Sequence, residues 1–298
     1  MLKDRVGGTD MARWITSISM VMAAAISMSA PKALAADPWG LVRSPSPGPS
    51  LAIGSPSDGC LAGAKTLAVR GPGWREVYPA RHRFYGHPAL IAFVHRLAAE
   101  VRARHMGTLL LGDLAQPRGG PMSSGHRSHQ LGLDVDVYLH LAHHPLTVTG
   151  RARLETISMV DGGAINFQAW GRPQMRLLRL AARDPAVGRI FVNPAIKRHL
   201  CRTLTGKRAW LRKIRPWWGH RRHFHVRLIC PHGDYACVSQ APIPPGDGCD
   251  ATLAWWFTPA AKVPTPPVHA GPPVLPAACG RVLADRAVPA GRRSLSRR

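Results

Sequence analysis

Two short stretches of this chain concentrate the side chains that can do chemistry. The first runs Ser124-Gly125-His126-Arg127-Ser128-His129-Gln130-Leu131-Gly132-Leu133-Asp134-Val135-Asp136, and the second His220-Arg221-Arg222-His223-Phe224-His225-Val226. Side chains two apart on a strand point the same way, so His223 and His225 address one point in space. Asp136 addresses the same point if its strand is a neighbour. His129 stands in the loop that feeds the Asp136 strand, and Gly132 lets that loop turn sharply. Two imidazoles and one carboxylate are a natural donor set for zinc, and three protein ligands leave a fourth position for water. Zinc lowers the pKa of such a water to about 7 and polarises a carbonyl. Another group must then accept the proton. The glutamates are Glu76, Glu100 and Glu155, and none sits beside a histidine as in a His-Glu-x-x-His helix. A His or an Asp must serve, and His223, next to His225 on one face, is the candidate base. Each half alone has a plainer reading: alternate histidines in a basic run form a solvated edge, and Asp134 and Asp136 pair with arginine or cap a turn. Both halves together favour a metal site.

The elements that must position these residues show as patterns. From His87 to Arg104, Leu90, Ile91, Val94, Leu97, Ala98 and Val101 recur at helical spacing behind Pro88, which predicts an amphipathic helix. Thr108 to Gly112 reads as a short apolar strand. From Leu133 to Leu139 the apolar residues alternate with Asp134, Asp136 and Tyr138, a strand with an apolar back and an acidic front. Gln174 to Arg183 reads as a helix, Arg189 to Val192 as a strand, and Pro194 opens a helix through Leu200. His223 to Ile229 alternates again, with His223, His225 and Arg227 on one face. No βαβ rhythm is visible, so the expected class is α+β, a small antiparallel sheet core with flanking helices.

Other nucleophile motifs are missing. There is no Gly-x-Ser-x-Gly, and Ser-x-x-Lys occurs only at Ser29-Ala30-Pro31-Lys32, inside a predicted export leader. That leader has a basic start at Met11-Ala12-Arg13-Trp14, an apolar run from Ile15 to Ala30, and a small-x-small site at Ala33-Leu34-Ala35. It predicts a signal peptide over 1–35. No later stretch approaches the length of a membrane span. Residues 36–59 read as a Pro/Ser/Gly-rich lead-in, 60–257 as the folded body that carries the metal site, and 258–298 as an extended Pro-rich basic tail.

The net charge of +24 attracts polyanions through long-range, salt-sensitive forces. An exported protein rarely meets nucleic acid, so the expected counter-surface is a cell wall carrying free carboxylates. Lys207 through Trp218 mixes cations with aromatics as nucleic-acid surfaces do, but reads as a packed edge with a basic rim. The 6 cysteines form no Cys-x-x-Cys pair. In an exported chain they suggest three disulfides, with fifteen possible pairings. A local Cys230–Cys237 bridge across His-Gly-Asp is plausible.

From about Ala80 to Phe257 the sequence resembles the penicillin-insensitive murein endopeptidases. Gly125 through Asp136 matches the first signature of that family. Phe191-Val192-Asn193-Pro194-Ala195-Ile196-Lys197, Trp210 through Trp217, and His220, His223 and His225 match its second half. The resemblance implies a fold akin to lysostaphin-like and D-Ala-D-Ala metallopeptidases, with one zinc. It implies His129, Asp136 and His225 as ligands and His223 as catalytic base. His220 would join His223 in catalysis, one of them in protonated form steadying the oxyanion, while His126, Asp134 and Asp161 support the site or contact substrate. It also implies the disulfides Cys60–Cys279, Cys201–Cys249 and Cys230–Cys237. Asp161 matches an Asp that is sometimes linked to an additional metal, but Gly162-Gly163-Ala164 supplies no His, so one ion is expected. The implied activity is periplasmic hydrolysis of D-alanyl–meso-diaminopimelyl cross-links in peptidoglycan. The rivals are a D-Ala-D-Ala dipeptidase or carboxypeptidase with the same chemistry, and a non-catalytic wall-binding protein.

Overall fold

In the computed structural model the two His/Asp stretches lie side by side in a seven-stranded sheet. Across it run Ile214–Pro216, Val187–Val192, His223–Leu228, Asp134–Tyr138, Leu109–Leu111, Trp74–Glu76 and Arg70–Gly71. The structure describes residues 37–123, 125–152, 154, 156–262 and 273–285. The expected leader over 1–35 lies outside the described residues, as do 263–272 and 286–298 of the tail.

The class is α+β, but the sheet is mixed, which corrects the expectation of a small antiparallel core. Val187–Val192 and Ile214–Pro216 pair in parallel, with helix Pro194–Thr203 between them in the chain. Trp74–Glu76 and Leu109–Leu111 do the same around helix Pro88–Ala103. Parallel neighbours require such crossovers. The strands Trp74–Glu76 and Ile214–Pro216 are only 3 residues long, too short to show alternation, and this hides both βαβ units in the sequence.

The helices start where the sequence places their caps. The His87 side chain accepts the Ala89 N–H, and Pro88 occupies the first turn, where its missing N–H costs nothing. Leu90, Phe93, Val94, Leu97, Ala98 and Val101 are the buried face of this helix. They join Leu133, Val135, Val137, Phe224, Val226 and Leu228 in one core. The apolar back of both central strands is therefore packed, and the polar front is left for the site.

The described parts of the lead-in and the tail pack against the body, where the sequence predicts an extended lead-in and an extended tail tied down at Cys279. Leu51–Ser55 pairs with Asp58–Ala62 as a hairpin. Ala277–Ala284 is a helix, and Pro259–Lys262 a single helical turn. Trp39, Ile53, Cys60, Cys279 and Val282 make a small separate core, and Arg118 donates to the carbonyls of Val282 and Leu283. Local composition reports the prolines and misses this long-range burial. The disulfides Cys60–Cys279, Cys201–Cys249 and Cys230–Cys237 are all present, as the resemblance implied. Among the described residues no helix is long and apolar enough to cross a membrane.

Candidate functional site

Antiparallel register sets the site. His225 stands opposite Asp136, His223 opposite Tyr138 and Arg227 opposite Asp134, and on the other side Phe191 stands opposite His225. Directly opposed residues share a face, so the alternation of the two strands delivers imidazole and carboxylate to one place. His129 arrives from the loop before Asp134. It adopts φ 72, a left-handed conformation rare for a residue with a side chain, and its backbone N–H donates to Asp134 Oδ2 at 3.0 Å. Gly132 permits the turn at φ 65, where a Cβ would lie 2.3 Å from the Leu61 side chain.

Two imidazole nitrogens approach one carboxylate oxygen. Asp136 Oδ1 lies 3.3 Å from His225 Nδ1 and 3.6 Å from His129 Nε2. Zinc bonds of about 2.0–2.1 Å in tetrahedral geometry hold ligand atoms roughly 3.4 Å apart. His129 Nδ1 donates to the Leu114 carbonyl at 2.8 Å, which leaves Nε2 with a free lone pair in the neutral ring. His129 Nε2 and Asp136 Oδ1 are buried and have no hydrogen-bond partner. Buried polar atoms without partners are costly and rare. A divalent cation among them satisfies both, so the donor set fits zinc. On the far side of the His225 ring, buried Nε2 lies 3.4 Å from Asp134 Oδ2, an ion-pair approach without a hydrogen bond.

The electrostatics agree. Burial alone would raise the Asp136 carboxyl, but His223 and His129 hold it well below the usual carboxylate range. Burial opposes charge on Asp134 as well, and Arg227 and His225 pull it well below that range. Burial disfavours the charged form of His225, yet Asp134 and Asp136 outweigh it and raise the imidazole. His223 moves the other way, lowered by burial against the pull of Asp136. Burial, reinforced by His225 and His223, lowers His220 to about 4.

His223 Nε2 lies 3.7 Å from Asp136 Oδ2, near the donor set but not aimed at the same oxygen. His220, at φ 45, is held by its loop. Its Nδ1–H donates to the Trp218 carbonyl at 2.7 Å, so the neutral ring presents Nε2 as an acceptor, contrary to an oxyanion donor. Asn193 explains the Phe191-Val192-Asn193-Pro194 motif. Its side chain caps the following helix and donates to the Gly219 carbonyl at 2.7 Å, while its backbone N–H holds the His220 carbonyl.

His126 joins the cluster with Nε2 3.6 Å from Asp136 Oδ2, and His126, His129 and Asp136 form a group whose ligand atoms lie within 4.8 Å of one another. His126 Nε2 is, however, engaged by Asp113 Oδ2 at 2.9 Å. Asp161 is exposed on the hairpin Val160–Asp161 with Ala164–Ile165, and no polar contact among the described residues joins it to the cluster.

Asp113 escapes the sequence reading. It is buried after the Leu109–Leu111 strand and binds His126 and Arg83, with Arg81 at 3.3 Å. Burial would raise its carboxyl, but hydrogen bonds from His126 and Arg83 bring it down to about 2. The available signal was a carboxylate at the end of an apolar strand.

One protein family, described as penicillin-insensitive murein endopeptidase, has a model that matches residues 52–284. A penicillin-insensitive murein endopeptidase of Klebsiella pneumoniae is 44% identical over 252 residues, covering 84% of this chain and 92% of that protein. One from Escherichia coli O157:H7 is 42% identical over 275 residues, covering 92% and 99%. A Shigella dysenteriae protein of the same name gives the same values.

Proposed function

Because the chain belongs to the family of penicillin-insensitive murein endopeptidases, we propose that it is a zinc-dependent enzyme of the periplasm that hydrolyses D-alanyl–meso-diaminopimelyl cross-links in peptidoglycan. The observation that supports the metal reading is the approach of His225 Nδ1 and His129 Nε2 to one carboxylate oxygen, Asp136 Oδ1, at 3.3 and 3.6 Å. These three residues would hold the zinc. Bound there, zinc supplies Lewis acidity, acidifying water and polarising a carbonyl.

The remaining steps belong to side chains. His223, lowered by burial and close to Asp136, is neutral near pH 7 and takes the proton of the attacking water. The resulting imidazolium faces Asp136 and hands the proton to the leaving amine. His220, with Nε2 as an acceptor, orients the water. Asp134 keeps the His225 ring in place, and Asp113 does so for His126. Asp161 would contact substrate from its exposed hairpin. No covalent acyl-enzyme forms in this scheme. The basic surface concentrates the protein on an acidic wall, and its partner is peptidoglycan rather than nucleic acid.

Digestion of purified murein, followed by mass spectrometry of the new ends, tests the reading. Loss of cross-links with free amines on diaminopimelate is expected. Release of free D-alanine with cross-links intact would replace it with a carboxypeptidase or dipeptidase. An Asp136→Ala variant that kept zinc and all biological effect would replace it with a wall-binding protein.

A further inference from the structure

We infer that the tryptophan cluster beside the His/Asp site is a docking platform for the glycan strand of murein, so that the protein grips the sugar backbone while it cuts the attached peptide. The inference rests on the murein-peptidase reading. Trp217, Trp218, Trp255 and Trp256 form one patch: ring centroids are 5.0 Å apart for Trp217 and Trp218, 4.6 Å for Trp218 and Trp256, 6.0 Å for Trp217 and Trp256, and 5.2 Å for Trp255 and Trp256. Trp217 is 46% and Trp255 41% exposed, whereas the core residues Trp74 and Trp170 are 5% and 6% exposed. Contiguous exposed apolar surface of this kind marks a binding face. The patch is also held in place. The Trp217 N–H donates to the Val192 carbonyl at 2.8 Å, and Trp218 Nε1 donates to the Ala261 carbonyl at 2.7 Å.

Continuity with the site identifies the occupant. The Phe191 ring lies 5.7 Å from Trp217 and 5.4 Å from His225. Laid end to end, these steps put Trp217 within about 11 Å of His225. Four extended residues span roughly 13–14 Å. A sugar at the root of a stem peptide whose fourth residue is being cut therefore reaches Trp217. Pyranose rings present apolar C–H faces, which pack against the electron-rich faces of tryptophan, while the hydroxyls remain in water.

Titrating the intact protein with the tetramer of N-acetylglucosamine and following tryptophan emission tests the binding. Hydrolysis is compared on a cross-linked muropeptide that carries its disaccharides and on the same peptide without sugar. Saturable quenching is expected, with KM at least tenfold lower for the sugar-bearing substrate and kcat similar. Trp217→Ala should abolish both the quenching and the KM difference, while kcat on the sugar-free peptide persists. Trp255→Ala, one step further along the patch, provides the same test if Trp217→Ala does not fold. Absence of quenching with equal KM values overturns the inference. So does an equal loss on both substrates in Trp217→Ala, or quenching by an oligonucleotide but not by the tetrasaccharide. If neither substrate is cut, the peptidase reading fails, and the sugar titration alone decides the platform.

Discussion

Asp134 grips Arg227 through both carboxylate oxygens, at 2.9 and 3.0 Å, and the same carboxylate receives the His129 backbone N–H and lies against His225 Nε2. One buried acid therefore positions an imidazole from each half of the site. Removing it leaves the guanidinium of Arg227 buried without a counter-charge. Asp134→Ala should destabilise the protein by about 3–5 kcal/mol. Its zinc affinity should fall roughly 10–100-fold. Denaturant unfolding and chelator competition measure the two effects, and a variant unchanged in both would refute this role.

Metal removal is the second test. An excess of chelator should abolish cross-link hydrolysis, and added zinc should restore it, at one ion per chain. Penicillin should leave the rate unchanged, because outside the predicted leader the chain has no Ser-x-x-Lys to acylate. Full activity in excess chelator would end the metal reading. Asp136→Ala, which deletes the central donor of the three, should lose the ion as well as the activity.

His223→Ala separates proton transfer from metal binding. His223 is partly exposed and lies 3.7 Å from Asp136 Oδ2, outside the set of partnerless donor atoms. Its removal should lower kcat by about 10²–10⁴ with little change in KM. Zinc content, measured on the purified variant, should be retained. Loss of the ion along with the activity would make His223 a ligand instead.

The two central strands were legible because alternation over five or six residues fixes which side chains share a face. Their pairing was not legible, since register depends on contacts between residues about 90 positions apart. The facing of His225 and Asp136 was thus conditional in the sequence and is direct in the fold. Asp113 and Asn193 were hidden for another reason. Each acts through what it holds, His126 in one case and the His220 loop in the other, and neither partner is near in the chain. The three-residue strands Trp74–Glu76 and Ile214–Pro216 form through neighbours rather than propensity, so the mixed sheet could not be read locally.

The Cys60–Cys279 bridge closes a loop of 219 residues and clips the Ala277–Ala284 helix onto the small core around Trp39 and Ile53. Replacing both cysteines with alanine should cost about 2–5 kcal/mol. The folded fraction should keep its specific activity, because His129, Asp136 and His225 draw on the central sheet. Unfolding in denaturant, with activity assayed below the transition, checks both halves of the expectation. A large loss of activity in the fully folded variant would tie the C-terminal helix to the site.

Glu76 should make stability depend on pH in a direction opposite to most carboxylates. It is 0% exposed, and neither carboxyl oxygen has a hydrogen-bond partner. Burial above all, with Asp113 adding, raises it from 4.5 to about 8, against the pull of Arg151 and Arg81. The folded protein therefore keeps a proton that the unfolded chain releases near pH 4.5. Its favourable contribution is complete below that pH and is lost as the pH rises to about 8. Glu76→Gln, neutral and nearly the same shape, removes this titration. The variant should match the wild type near pH 4 and exceed it above pH 8 by on the order of 5 kcal/mol. Denaturation curves across this range decide, and a difference that does not vary with pH would show that Glu76 is charged in the folded protein.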